Sequence, residues 1–352
     1  MNTLPHFKCY QKSDVLAMTK IRKFETKIGE RVRVAENLQE LPTMLQDPSI
    51  KFVLFGIPED MGVTAHDGLA GANSVWNPFL SAFLNIQSND FLDGDQVLVL
   101  GHFDFSDIKT LIDHHAHDPV ELIDAYRHAL ITIDDEVEAL TKLICRSAKL
   151  PVVIGGGQNN AYPLIKGAAK GWHKAEKIPM AQINAINLDA HCDYKPAEGR
   201  HHHNGFRYAE EDGYLLKYCV VAVHENNISQ NVWMDLVNNP FMDIITYEDI
   251  FLHEKRNFIQ ALAHATGFTE DNYTGIELDM GAIADVLSTD GSPAGISFLQ
   301  ARQYMNFTAL DTKAAYLHIA EGASKLSNGR FDEEAGMRIA YLVSDFIKSS
   351  IS

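Results

Sequence analysis

Three short stretches carry side chains suited to metal and acid–base chemistry. Asp189, His191 and Asp193 alternate in "AINLDAHCDYKP" (185–196). Alternate residues of an extended chain share a face, so two carboxylates and an imidazole are expected to point together where an apolar run ends. Glu277 and Asp279 stand two apart in "GIELDMGAI" (275–283), with Gly281 next on the same face. In "VVIGGGQNNAYPLIKG" (152–167) three glycines precede Gln158. That spacing is not G-x-G-x-x-G, and no Lys-Ser/Thr follows, so a phosphate loop is disfavoured. The glycines instead let the backbone turn sharply and carry Gln158 over a strand end. Carboxylate with imidazole suits Mn²⁺, Zn²⁺ or Fe²⁺ better than Ca²⁺. Alone, each motif reads equally as a capping Asp with a core His, or as a salt-bridged strand end. Two such ends in one sheet favour metal.

The elements that must position these residues are regular. Short apolar runs, each ending in a polar residue or Gly, recur at 51–60, 96–104, 151–160, 185–193, 218–226, 243–249, 273–281 and 314–322. Continuous Val- and Ile-rich runs read as strands buried on both faces. Helical patterns lie between most of them. The clearest spans 118–149, with Asp118 as cap and Pro119 in the first turn, and the last spans 332–350. Alternating strand and helix predicts a three-layer α/β/α fold around a central, mostly parallel sheet, whose ligands bind at the carboxyl ends of the strands. No break in composition divides the chain. One domain over 1–352 is expected, with 1–50 as an N-terminal extension packed on it.

Composition narrows the partners. The chain has 352 residues, 46% hydrophobic and 22% charged, which is ordinary globular usage. The formal net charge of −17 repels phosphate backbones, so no nucleic acid is expected. No apolar run reaches the roughly 18 residues of a membrane span, and the N-terminus lacks a signal-peptide layout. The four cysteines are far apart, without zinc or disulfide spacing, which fits a reducing cytoplasm. Sixteen histidines are a mild excess, clustered in "DHHAHD" (113–118) and "GRHHHNG" (199–205). The first cluster reads as solvated.

Taken in order, "GIPEDMGVTAHDGLAGANSVW" (56–76), GGGQ (155–158), DAHCD (189–193) and ELDMG (277–281) resemble the motifs of the ureohydrolases: arginase, agmatinase and formimidoylglutamase. The resemblance runs from about Lys51 to about residue 350. The triple glycine, Asp193-Tyr194-Lys195-Pro196 and "NGFRYA" (204–209) look most like formimidoylglutamases. The resemblance implies an arginase-like fold and two Mn²⁺ ions whose shared water attacks a planar C–N carbon. It assigns Asp189, His191, Asp193 and Asp279 as ligands. Glu321, in "LHIAEG", falls where the family places the acid that pairs with the substrate's cationic group. Family members often form trimers or hexamers, so a homo-oligomer is an option.

Two departures weaken the implied metal site. Gln158 stands where the family has its first histidine ligand, and an amide oxygen is a poorer ligand than imidazole. If Glu277 and Asp279 form the D-x-D pair, a second site survives; if Asp279 begins it, the partner is Gly281 and a ligand is lost. The second alignment fits better. Two ions, a single weakly held ion, or none are then all expectations. His201, His202 and His203 either turn inward, as a replacement ligand or proton shuttle, or lie solvated. Cys192, between the ligand positions, should pack. The expected activity is hydrolysis of N-formimino-L-glutamate, or a related amidino compound, to glutamate and formamide. Lys195 or Arg207 would hold a substrate carboxylate by charge alone. The alternative is a non-catalytic member of the fold with a binding or assembly role.

Overall fold

Each of the eight apolar runs forms a strand in the computed structural model, which describes residues 4–351. Two more strands come from the first fifty residues. In chain order they are β1 (Phe7–Cys9), β2 (Arg33–Val34), β3 (Phe52–Gly56), β4 (Val97–Phe103), β5 (Leu150–Ile154), β6 (Ile183–Leu188), β7 (Leu215–Val223), β8 (Met242–Thr246), β9 (Tyr273–Asp279) and β10 (Lys313–Ala320). One sheet holds them in the order β1-β4-β3-β5-β10-β9-β6-β7-β8, with β2 paired to β4. Every pairing is parallel except β1 with β4.

Helices cover both faces, because the strands are apolar on both. Val53 and Phe55 enter one core; Phe52 and Leu54 enter the other. The helix Pro119–Cys145 starts as expected: the Asp118 carboxylate accepts from Val120 N and Glu121 N at 2.9 and 3.4 Å. It stops short of residue 149, where Ala148 takes a φ of +56° and turns the chain toward β5. The C-terminal helix is Ala335–Ser350. His114 and His115 are exposed, at the end of a helix (Ser106–His115) rather than in a loop. Residues before β3 pack closely: Phe7, Val15 and Ile28 are buried. No helix among the described residues is long and apolar enough to cross a membrane.

Strands β6 and β9 are neighbours, yet the chain leaves β6 for β7 on one side and β9 for β10 on the other. Such a reversal opens a crevice at the carboxyl ends of the strands. Asp189 follows β6 and Asp279 ends β9; Gln158 follows β5 and Glu321 follows β10. The topology therefore brings all four to one rim. The rim also needs close packing behind it. A Cβ on Gly56, at the end of β3, would sit 2.3 Å from the Trp76 indole. Gly56→Ala is therefore expected to lower the urea midpoint, by a stability loss of about 1–3 kcal/mol, read by Trp fluorescence.

Candidate metal centre

Asp189, Asp193 and Asp279 each present a carboxylate oxygen within 4.8 Å of the other two, and all three are buried. Backbone amides hold two of them: His191 N donates to Asp189 Oδ1 at 2.8 Å, and Gly281 N to Asp279 Oδ1 at 2.5 Å. Asn187 Nδ2 donates to the other Asp189 oxygen at 2.9 Å. Burial, then the neighbouring Asp193, pushes the Asp189 carboxyl well above its usual range. Burial, then Asp189 and Glu321, does the same to Asp279. Asp193 and Glu321 are both non-glycine residues in the left-handed region, at φ +45° and +60°. Each such residue costs on the order of 1 kcal/mol, so surrounding contacts must hold it.

Those contacts are specific. Glu321 N donates to Gly156 O at 2.9 Å, and Gln158 N donates back to Glu321 Oε1 at 2.7 Å. The loop can reach that position because Gly155 and Gly156 take φ of +89° and +79°. Buried Glu59 ties the loop after β3 to the loop after β5, accepting from Asn160 Nδ2 at 2.6 Å, Met61 N at 2.8 Å and Gly157 N at 3.2 Å. Arg200 anchors the histidine loop. Its guanidinium pairs with Asp134 at 2.9 and 3.1 Å, donates to Asn159 O at 2.7 Å, and stacks near the rings of Tyr162 and Tyr208.

With Arg200 fixed, the three following histidines turn inward; none is solvated. His203 Nδ1 lies 2.7 Å from Asp193 Oδ1, and its Nε2 lies 3.1 Å from Asp290 Oδ2. Burial lowers the His203 pKa, but Asp193 and Asp290 outweigh it and hold the ring up to about 10. His202 Nδ1 lies 3.1 Å from Glu321 Oε1. Burial, then the other imidazoles, keeps His202 well below its usual value. His201 is lowered to about 2 by burial, then His66 and His203.

Several expectations need correction. The strand ends at Leu188, so 189–193 is not extended and the alternation argument fails there. Asp193 swings toward Asp189, while His191 stands aside, its Nδ1 3.8 Å from Asp189 Oδ1 and 3.4 Å from Asp290 Oδ2. Glu277 is not part of the carboxylate group. It lies deeper along β9, where Tyr316 Oη and His318 Nδ1 reach it at 2.6 Å each. Gln158 turns to the same place, its Nε2 donating to Glu277 Oε2 at 2.9 Å and its Oε1 buried without a partner. Arg207 pairs with Asp235 and Glu211 and stacks on Tyr194, away from the crevice. Cys192 is buried in the core. Two further side chains belong to the site, His66 and Asp290. A Cβ on Gly281 would meet the Asp290 carbonyl at 2.4 Å, so the segment carrying Asp290 fills the space a side chain at 281 would use. Neither residue carries a spacing signal, since each is distant in sequence from the residues it meets.

The arginase family profile matches residues 50–341. The chain belongs to the arginase family. Among its arginase-family relatives, a formimidoylglutamase of Streptococcus pyogenes is 24% identical over 258 residues, covering 71% of this chain and 68% of that protein. Formimidoylglutamase from Bacillus subtilis superposes with a TM-score of 0.70 at 15% identity, covering 94% of this chain and 93% of that one. Formiminoglutamase from Trypanosoma cruzi, solved with Mn²⁺, gives 0.67 at 16% identity, covering 92% and 98%. These structural likenesses establish the arginase-like α/β fold.

The donor set fits one Mn²⁺-class ion between Asp189, Asp193 and Asp279: three buried carboxylates, of which only Asp193 is hydrogen-bonded to an imidazole, and whose mutual repulsion a cation would relieve. The sign of the pH effect follows. Carboxyls raised above their unfolded values add stability at low pH that is lost as pH rises through the raised pKa. An ion replaces those protons at high pH. Mn²⁺ should therefore raise the melting temperature more at about pH 8 than at about pH 5. Asp279→Asn should remove that shift and raise the melting temperature of the metal-free protein, both read by calorimetry.

Proposed function

We propose that this chain hydrolyses the linear C–N bond of a formimino or amidino amino acid, with N-formimino-L-glutamate the leading candidate. The observation that carries this is the buried Asp189–Asp193–Asp279 group, in an arginase-family chain whose relatives include formimidoylglutamases. Activation of water and polarisation of the planar carbon are the chemistry a bound Mn²⁺ supplies. The chain's own residues supply the rest. Glu321 Oε2 is buried without a partner, and a cationic formimino N–H would satisfy it. His202 stays neutral, with Nδ1 on Glu321 and Nε2 unpartnered, so Nε2 is placed to accept a hydrogen bond from a substrate N–H or a water. A cavity of about 200 Å³ opens beside Asp193, His203 and Lys195. The Lys195 ammonium suits a substrate carboxylate there.

A second reading, a non-catalytic member of the fold, is favoured by one specific feature. Protonated His203 already faces Asp193, and Gln158 is committed to Glu277. Internal partners thus occupy two positions that ions would use.

One assay separates the two. Protein purified without chelator is tested for metal content, and for formamide release from N-formimino-L-glutamate with added Mn²⁺. The hydrolase reading expects turnover that Asp189→Asn abolishes. Turnover no greater than that of Asp189→Asn supports the non-catalytic reading. Gln158→His should tighten Mn²⁺ binding by about 10-fold or more, measured by calorimetric titration. Gly281→Asp should not tighten it, because the new side chain meets the Asp290 backbone.

A further inference from the structure

We propose that His66, His202 and His203 form a second metal site, beside the aspartate group and of different chemistry: an all-imidazole site for a Zn²⁺-class ion. One ligand nitrogen from each lies within 4.8 Å of the others. His66 arrives on the loop after the short helix Met61–Thr64, and the other two on the turn His202–Asn204. His202 is 2% exposed, and its Nε2 has no hydrogen-bond partner. A buried imidazole nitrogen left unpaired costs about 1–3 kcal/mol, and an ion would satisfy it.

The orientation of the rings supports this reading. His202 directs Nδ1 to Glu321 at 3.1 Å, and His203 directs Nδ1 to Asp193 at 2.7 Å. A carboxylate on one ring nitrogen, with the other turned to the ion, is how metal-bound imidazoles are held. On His203, Nε2 faces Asp290 Oδ2 at 3.1 Å, so binding exchanges that contact for the ion and releases the Nε2 proton to solvent. His66 is half-buried, with Nε2 3.4 Å from the Lys195 ammonium, and closes the site from the solvent side. Three imidazoles without a ligating carboxylate favour Zn²⁺ or Co²⁺ over Mn²⁺ or Mg²⁺, and they leave a fourth tetrahedral position open. The inference does not rest on the hydrolase reading, since it needs neither the aspartate group nor turnover.

The test is titration of the full-length, metal-free protein with Co²⁺, followed by visible absorption and calorimetry. The expected result is a Co²⁺ with the visible band of a four-coordinate site, displaced by Zn²⁺, separate from any Co²⁺ that the aspartate group takes up and that Asp189→Asn loses. His66→Ala and His202→Ala should each weaken binding at least about 10-fold, while Asp189→Asn keeps both band and affinity. His66→Ala alone suffices if His202→Ala does not fold, because His66 is not part of the buried core. The proposal is overturned if wild-type protein shows no such band, if His66→Ala titrates like wild type, or if Asp189→Asn alone removes the band. Failure of the hydrolase reading is a different result, absence of formamide release, and leaves the Co²⁺ measurement unaffected.

Discussion

Like charges placed in a dry crevice are what the rim of this sheet is built around. Asp189, Asp193, Asp279 and Glu321 are all buried at the ends of parallel strands. Water cannot screen them there, and each carboxylate raises the cost of ionising the next. Such an arrangement persists only if donors are brought to it. Three backbone amides, those of His191, Gly281 and Gln158, donate to three of the acids. Two imidazoles face two of them, His203 at Asp193 and His202 at Glu321.

Much of the surrounding structure follows from supplying those donors. The Arg200–Asp134 pair, itself buried, fixes the turn that carries His202 and His203. A buried ion pair contributes little net stability, and its role here is positional. Glu59 performs the same task for the loop after β5, gathering amide donors from two loops. The left-handed backbone at Asp193 and Glu321 belongs to the same system. Strained residues persist where neighbouring contacts hold them: Glu321 is held by Gly156, Gln158 and His202, and buried Asp193 by His203.

Gly281, Gln158 and the 201–203 turn belong to one connected set of contacts. The segment carrying Asp290 packs where a side chain at Gly281 would stand, its carbonyl 2.4 Å from that Cβ position. Asp290 then meets both His191 and His203. The Gln158 amide bonds to Glu277, already bound by Tyr316 and His318. Imidazoles enter the crevice from the 201–203 turn. The crevice thus holds a carboxylate group and a histidine cluster side by side at the rim of one sheet.

The sheet was legible in the sequence because its cause is local. Continuous apolar runs such as "KFVLFG" and "YLHIA" can only be strands buried on both faces, and the polar residues ending them mark the rim. The Asp118 cap and the glycine turn before Gln158 are local for the same reason. The candidate acids could be named from their types and their place after each run. What they touch could not. Glu277 and Asp279 alternate alike in sequence, yet one lies deep against Tyr316 and the other at the crevice mouth, a difference of depth along β9 that periodicity does not encode. The inward turn of His202 and His203 depends on Arg200 reaching Asp134, 66 residues away. His66 and Asp290 join the site only through folding, since no spacing links them to the residues they meet. Local pattern determines which residues reach the rim; long-range packing decides which of them face one another across it.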